Sequence, residues 1–276
     1  MTVAMVGMGW HSWLFREEMK ALLGDISILH PRIVTYDIRR EEISKLSGAS
    51  LLDEVLILGG HSIFPQSSES QNSLCKAIGE WAVQNFEEGD FAVRTRKIGE
   101  LPDTISSRSF EDKVGGAVSS SGIRVNLESP SNEIVIIIAG SNDGDTHPEP
   151  FEFEETMVVW GLRVKNWSKE SFSGRSPTKR PYFKPISLEP RQARLLISLS
   201  RVPNREIKAV VDPFCGTGGI AIEAALQNIR ALASDLDSRM VEGTKENLKW
   251  LGKECLVKKW DASDLSTLWG EIEGCS

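Results

Sequence analysis

Hydrophobic and polar positions change period several times along the chain. Across residues 3–60, apolar strand-like stretches at 3–7, 33–36 and 54–58 alternate with helix-like amphipathic ones at 13–23 and 39–46. This predicts a small βαβ- or βαββ-type module, closed by Gly59-Gly60. The polar stretch 66–71 separates it from a helix over 73–86. A second module follows, with a strand at 90–97, a helix at 110–120, a short strand at 124–127 and strands at 133–139 and 157–164. The unbroken run Ile134-Val135-Ile136-Ile137-Ile138 predicts a strand buried on both faces. Residues 165–178 are polar, basic and serine-rich, as in a linker or RNA-facing loop. From Glu189 onward, helices at 190–200, 219–227 and 238–251 alternate with strands at 209–211, 230–234 and 255–259, the pattern of a parallel sheet flanked by helices. The expected domains are therefore 1–66, 67–165 and 166–276.

Composition narrows the class. At 276 residues, with 40 % hydrophobic and 26 % charged positions, the sequence is that of a globular protein of about two domains. It has no run of the length a membrane helix needs and no signal-like start, so a cytoplasmic location and no membrane partner are expected. Cys75, Cys215, Cys255 and Cys275 form no CxxC pair, and His11, His30, His61 and His147 are dispersed, so neither zinc nor a disulfide framework is expected. The eight tryptophans are expected in cores. A net charge of −7 argues against nucleic acid, yet twelve basic residues against three acidic ones lie between Arg163 and Lys208. That excess points to RNA contact, with Arg175, Lys179, Arg180 and Lys184 as candidates. The acidic run Asp143, Asp145, Glu149, Glu152, Glu154 and Glu155 reads as a solvated loop.

The chemistry concentrates at Val210-Val211-Asp212-Pro213-Phe214-Cys215-Gly216-Thr217-Gly218-Gly219-Ile220, where a strand runs through a glycine-rich turn into a helix. Glycines there let the backbone approach a ligand, and the carboxyl ends of parallel strands are where open α/β sheets place their sites. Asp235-Leu236-Asp237 and Asp261-Ala262-Ser263-Asp264 follow the next two strands, which puts three acids on successive strand ends. An acid about 20 residues after such a turn is placed to bond ribose hydroxyls.

The turn resembles motif I of class I S-adenosylmethionine-dependent methyltransferases. The lead-in Arg180-Pro181-Tyr182-Phe183-Lys184-Pro185-Ile186-Ser187-Leu188-Glu189-Pro190 is similar to that of archaeal tRNA guanosine N2-methyltransferases acting on position 10, as are Asp235-Leu236-Asp237 and Asn247-Leu248. Upstream, Phe91-Ala92-Val93-Arg94-Thr95-Arg96, Val114-Gly115-Gly116-Ala117 and Val125-Asn126-Leu127-Glu128-Ser129-Pro130 resemble the THUMP domain of tRNA-modifying enzymes. The resemblance implies an α/β chain with a ferredoxin-like module, a THUMP RNA-binding region and a partial Rossmann-like methyltransferase domain. Its cofactor would be S-adenosylmethionine and its substrate the exocyclic N2 of a tRNA guanosine.

Carried over, Asp212, Cys215, Gly216 and Gly218 meet the methionine end of the cofactor, and Phe214 and Thr217 are also expected to bind it. Asp235 takes the ribose, Leu236 the adenine face, and Asp261 with Ala262 the adenine edge. Arg94, Arg96 and Lys97 fall to tRNA. The family's catalytic Asp or Asn followed by Pro-Pro-Tyr or Phe is absent, so no catalytic residue is named. The sequence ends fifteen residues after Asp261, which reads as a fragment completed by a further segment or separate chain. The rival readings are an RNA-binding protein with an inactive methyltransferase half and a DNA amino-methyltransferase.

Overall fold

The computed structural model describes residues 1–9, 11–141, 155–201 and 209–264. The chain forms two compact units that interleave in sequence. The first comprises Met1–Arg16, Asp25–Ser44 and Leu52–Lys169, and the second Glu17–Gly24, Lys45–Leu51 and the chain from Glu170 onward.

The first unit is built on one seven-stranded sheet. Its strands are β1 (Thr2–Val6), β2 (Ser27–His30), β3 (Ile33–Asp37), β4 (Glu54–Ile63), β5 (Phe91–Ile98), β6 (Asn132–Ala139) and β7 (Met157–Arg163), in the order β2-β3-β1-β4-β7-β6-β5. The modules expected at 1–66 and 67–165 share this sheet, joined where β4 lies antiparallel to β7. Helix α1 spans Ser12–Leu23, and helices α2 (Ser68–Asn85) and α3 (Ser107–Ser119) begin at Ser67 and Ser106, whose hydroxyls accept the N–H groups of Ser70 and Ser109. The polar stretch read as a separator is thus the first turn of α2. On β6, Ile134, Ile136 and Ile138 pack with Ile78, Val114 and Val118 of these helices, while Val135, Ile137 and Ala139 pack with Ala4, Leu56 and Val159 on the other face. The isoleucine run is therefore buried on both faces, as its pattern predicts.

Two local expectations are corrected. Gly59 and Gly60 lie inside β4 rather than ending it, since a Cβ there would sit 2.7 and 2.5 Å from the Trp160 ring. Glycine at these positions answers close packing, not a turn. The expected strand at 124–127 is reduced to one isolated bridge, Phe91 to Val125, and Leu127 is exposed. Polar Ser27 and His30 hid β2 from the periodicity.

The second unit holds α4 (Pro190–Leu199), β8 (Ala209–Asp212), α5 (Gly219–Leu226), β9 (Arg230–Asp235), α6 (Ser238–Trp250) and β10 (Leu256–Lys259). Its sheet is parallel, in the order β10-β9-β8, as the alternation predicts. The interior is anchored by a carboxylate. Glu223 of α5 is fully buried, and its oxygens meet Nε of Arg175 at 2.6 Å and Nη2 of Arg194 at 2.8 Å. Arg175 also reaches Glu170 at 2.9 Å. Two guanidiniums thus neutralise one acid out of water and tie α5 to α4 and to the segment around 175. No helix among the described residues is long and apolar enough to cross a membrane. Nor does any group of three or more His, Cys, Asp or Glu among them come together as for a metal ion.

Two predictions follow from these interiors. His30 is 1 % exposed; its Nε2 donates to the Gly140 carbonyl at 2.9 Å and its Nδ1 accepts the Arg32 N–H at 3.1 Å. Burial holds its pKa down from 6.5 to about 4, so the folded ring is neutral. A base whose pKa is depressed on folding stabilises fully above its unfolded value and loses that contribution as pH falls towards the folded one. Urea unfolding should therefore show wild type losing up to about 3 kcal/mol more than His30→Gln between pH 6.5 and 4. Parallel pH profiles would remove His30 from the acid response. Glu223→Gln should lower unfolding free energy by about 3–5 kcal/mol, because it leaves buried guanidiniums uncompensated. An unchanged urea midpoint would show that the carboxylate is no anchor.

Candidate functional site

At the end of β8 the chain bends sharply before α5. Asp212 Oδ1 accepts the Phe214 N–H at 3.2 Å, the Cys215 N–H donates to the Ser234 carbonyl at 2.8 Å, and the Gly218 N–H to the Cys215 carbonyl at 2.7 Å. Gly216 and Gly218 have φ of 51° and 84°, a region costly for any residue with a Cβ. Their surroundings differ. A Cβ on Gly218 would lie 2.6 Å from the Thr244 methyl, whereas one on Gly216 would meet nothing within 4 Å, so open space lies before Gly216.

Asp235, at the end of β9, closes the bend. Its Oδ2 accepts the Gly216 N–H and its Oδ1 the Asp237 N–H, both at 2.9 Å. Each carboxylate oxygen keeps a further lone pair for a ligand hydroxyl. Burial raises the pKa of Asp212, and the neighbouring charge of Asp235 adds to that shift. Cys215 is buried and its thiol is pushed up to about 12, which makes it a packing residue rather than a nucleophile.

The opposite wall is the loop before α4. Its turn is closed by the Ser187 N–H donating to the Lys184 carbonyl at 2.9 Å, and Ser187 Oγ accepts from Thr217 Oγ1 at 2.9 Å. Together the walls enclose a cleft of about 370 Å³, lined by Asp212, Phe214, Cys215, Gly216, Thr217 and Asp235 from the bend side and by Lys184, Ile186, Ser187 and Leu188 from the loop. Asp237 and Met240 also border it. Ile186 and Phe214 are 90 % and 79 % exposed, an unusual state for large apolar side chains and one suited to an apolar ligand face.

Of the residues expected to hold the cofactor, Asp212, Phe214, Cys215, Gly216, Thr217 and Asp235 converge here. Gly218 shapes the bend from behind. Leu236, Asp261 and Ala262 do not line the cleft. Asp261 is exposed, and its Oδ1 accepts from the Ser263 N–H and hydroxyl at 2.9 and 2.8 Å, a local turn after β10. Leu236 is 65 % exposed.

The basic stretch is corrected more heavily. Arg175 and Arg180, expected to face RNA, are 9 % and 4 % exposed. Arg175 is held by Glu223 and Glu170, and Arg180 Nε donates to the Arg175 carbonyl at 3.1 Å. Lys179 is exposed, while Lys184 is half-buried at the cleft with its ammonium 5.7 Å from the Tyr182 ring centre. In the first unit, Arg94 pairs with Glu133 at 3.6 Å, Arg96 with Glu54 at 3.7 Å, and the Lys97 ammonium donates to the Ile105 carbonyl. The acidic run from Asp143 to Glu154 lies outside the described residues, as do Arg205 and Lys208.

Residues 177–273 match the family described as RMKL-like methyltransferase domain. The tRNA (guanine(10)-N2)-dimethyltransferase of Methanothermobacter thermautotrophicus is 37% identical over 188 residues, which cover 67% of this chain and 49% of that protein. Its namesake from Pyrococcus abyssi is 34% identical over 188 residues, covering 67% and 50%. The chain thus spans about half the length of the curated relatives it matches. TrmN from Thermus thermophilus is similar in fold, with a TM-score of 0.51 at 20% identity over 97% of this chain and 75% of that one. The stretch that matches this methyltransferase-domain family, residues 177–273, contains every side chain lining the cleft.

Proposed function

We propose that the cleft binds S-adenosylmethionine and that the chain serves methylation of the exocyclic N2 of a guanosine in tRNA. The observation that carries this reading is the bend at 212–218, with open space before Gly216 and the Asp235 carboxylate closing its side. The residues present fit the cofactor chemically. A ribose diol needs an acceptor, which Asp235 offers; a sulfonium cation suits the acid pair Asp212 and Asp235; a carboxylate suits Lys184, the cation among the cleft-lining residues. Phe214 and Ile186 offer apolar faces to a nucleobase. When bound, the cofactor supplies a methyl group activated on sulfur. The chain's own part is to hold that group at the bend and to keep acids beside its positive charge.

The N2 substrate follows from the two archaeal relatives, both named as tRNA (guanine(10)-N2)-dimethyltransferases. Residues 67–165 are read as a THUMP-type tRNA grip and 1–66 as a ferredoxin-like module. Lys179, Arg94, Arg96 and Lys97 remain as RNA contacts, whereas Arg175 and Arg180 are withdrawn because their guanidiniums are internal. The absence of an Asp- or Asn-Pro-Pro-aromatic tetrapeptide favours one second reading, in which the chain binds cofactor and tRNA without itself transferring the methyl. A guanine amino group is a weak nucleophile and needs a positioned acceptor to become one.

Calorimetry and filter binding test the proposal. Wild type should bind S-adenosylmethionine, and Asp235→Ala should weaken that binding about 10- to 100-fold through loss of a charge-assisted hydrogen bond to the ligand. The same variant should retain its preference for tRNA over duplex DNA. Undiminished cofactor affinity in Asp235→Ala would move the ribose elsewhere, and preference for duplex DNA would replace the tRNA reading. Labelled methyl appearing on tRNA N2 separates the catalytic reading from the binding-only one.

A further inference from the structure

The two walls of the cleft are carried by one face of one helix. Met240, Gly243, Thr244 and Asn247 of α6 follow the i, i+3, i+4, i+7 spacing that aligns side chains along a helix. Asn247 is fully buried, and its oxygen and both of its N–H donors are engaged. Oδ1 accepts the Tyr182 N–H at 2.9 Å, and Nδ2 donates to the Tyr182 carbonyl at 2.8 Å and to the Thr217 carbonyl at 3.0 Å. Tyr182 belongs to the loop wall and Thr217 to the bend. One turn earlier, Thr244 Oγ1 donates to the Gly216 carbonyl at 2.9 Å, and the Gly218 backbone rests on its methyl. The Tyr182 ring lies where a Cβ on Gly243 would come within 2.0 Å of it, and its hydroxyl donates to Met240 Sδ at 3.8 Å.

We infer that Asn247 is a positioning residue that sets the separation of the cleft walls by clipping the backbone of Tyr182 to that of Thr217. An amide is the group the geometry requires, since one acceptor and two donors must serve three backbone groups from one buried point. Aspartate offers no donor and would face two carbonyls. The link is short: two residues beyond Tyr182 the loop reaches Lys184, which lines the cleft, and Thr217 lines it directly. The Thr217–Ser187 hydroxyl bond spans the same walls nearer the opening. Loss of the clip frees the loop about its far end while leaving the sheet and the Asp235 carboxylate intact. The inference rests on the reading of the cleft as a cofactor site.

The test uses the full chain and three variants, Asn247→Ala, Gly243→Ala and Val257→Ala. Gly243→Ala displaces Tyr182 by its added methyl and leaves the amide in place. Val257→Ala thins the same unit's core at β10 and removes no hydrogen bond to either wall. S-adenosylhomocysteine binding is measured below the thermal transition of each variant, together with hydrogen exchange of residues 182–188. Asn247→Ala and Gly243→Ala should each lose about tenfold or more in affinity and gain about tenfold or more in exchange over 182–188, while Val257→Ala, at a comparable melting temperature, does neither. Should Asn247→Ala fail to fold, Gly243→Ala carries the comparison. A folded Asn247→Ala that binds like wild type overturns the inference, as does a Val257→Ala that loses affinity equally. If wild type binds no S-adenosylhomocysteine, the cofactor reading falls, and the exchange of 182–188 alone then decides whether the clip exists.

Discussion

The backbone between Asp212 and Gly219 has to turn through two positive-φ positions within three residues, and the second unit is arranged to make that turn affordable. Each glycine is required for a different reason. Gly218 is confined by Thr244, so its missing Cβ serves packing between the turn and α6; Gly216 is confined by nothing, so its missing Cβ serves approach from outside. The turn's polar groups are met from both sides, the Cys215 and Gly216 amides by the end of β9 and the Gly216 and Thr217 carbonyls by α6. A bend whose amides and carbonyls are already committed cannot collapse into its own cleft. That leaves the remaining lone pairs of the Asp212 and Asp235 carboxylates to act on something else.

The distribution of charge follows a different logic from the one its sequence position suggests. A cluster of twelve cations between Arg163 and Lys208 is a strong signal for a polyanion when read along the chain. In three dimensions much of it is spent at home: Arg163 on Glu54 and Glu133, Lys165 on Glu87, Lys169 on Asp53, and Arg175 and Arg194 on Glu223. The partners are distant in sequence, up to 116 positions in the case of Lys169 and Asp53, so no window of residues could have displayed them. Local charge density measures what a chain must neutralise, by ligand or by itself.

The same asymmetry explains which parts of the fold were legible. Strict alternation of helix and strand after Glu189 announced the parallel sheet, because both faces of a parallel strand must be apolar and the helices amphipathic. The isoleucine run announced β6 for the same reason. Hidden features were those set by contacts between remote residues: the continuation of β4 through Gly59 and Gly60 against Trp160, the burial of Arg175 and Arg180, and the outward turn at Asp261. Asn247 stood in plain view within a recognisable stretch, yet its role needed the positions of Tyr182 and Thr217. Its one sequence signal was a helix face of Gly, Thr and Asn where a core-facing stripe of apolar residues is the norm, and such a face implies backbone, rather than side chains, as its neighbour.

Electrostatics connects the bend to the kind of ligand it can take. Asp212 is raised by burial and further by Asp235, so the ionised pair is held at a cost within the cleft. Asp235 already accepts two backbone N–H groups. An anionic ligand would add a third negative charge to this corner, with Lys184 alone among the lining residues to offset it. A neutral nucleoside would gain hydrogen bonds but leave the repulsion unchanged. A ligand carrying a positive centre beside a diol relieves both at once, converting the unfavourable proximity of two carboxylates into attraction and pulling Asp212 back towards its ordinary ionised state. The charge of this corner therefore agrees with the shape of the turn in matching a sulfonium nucleoside as the proposed occupant of this cleft.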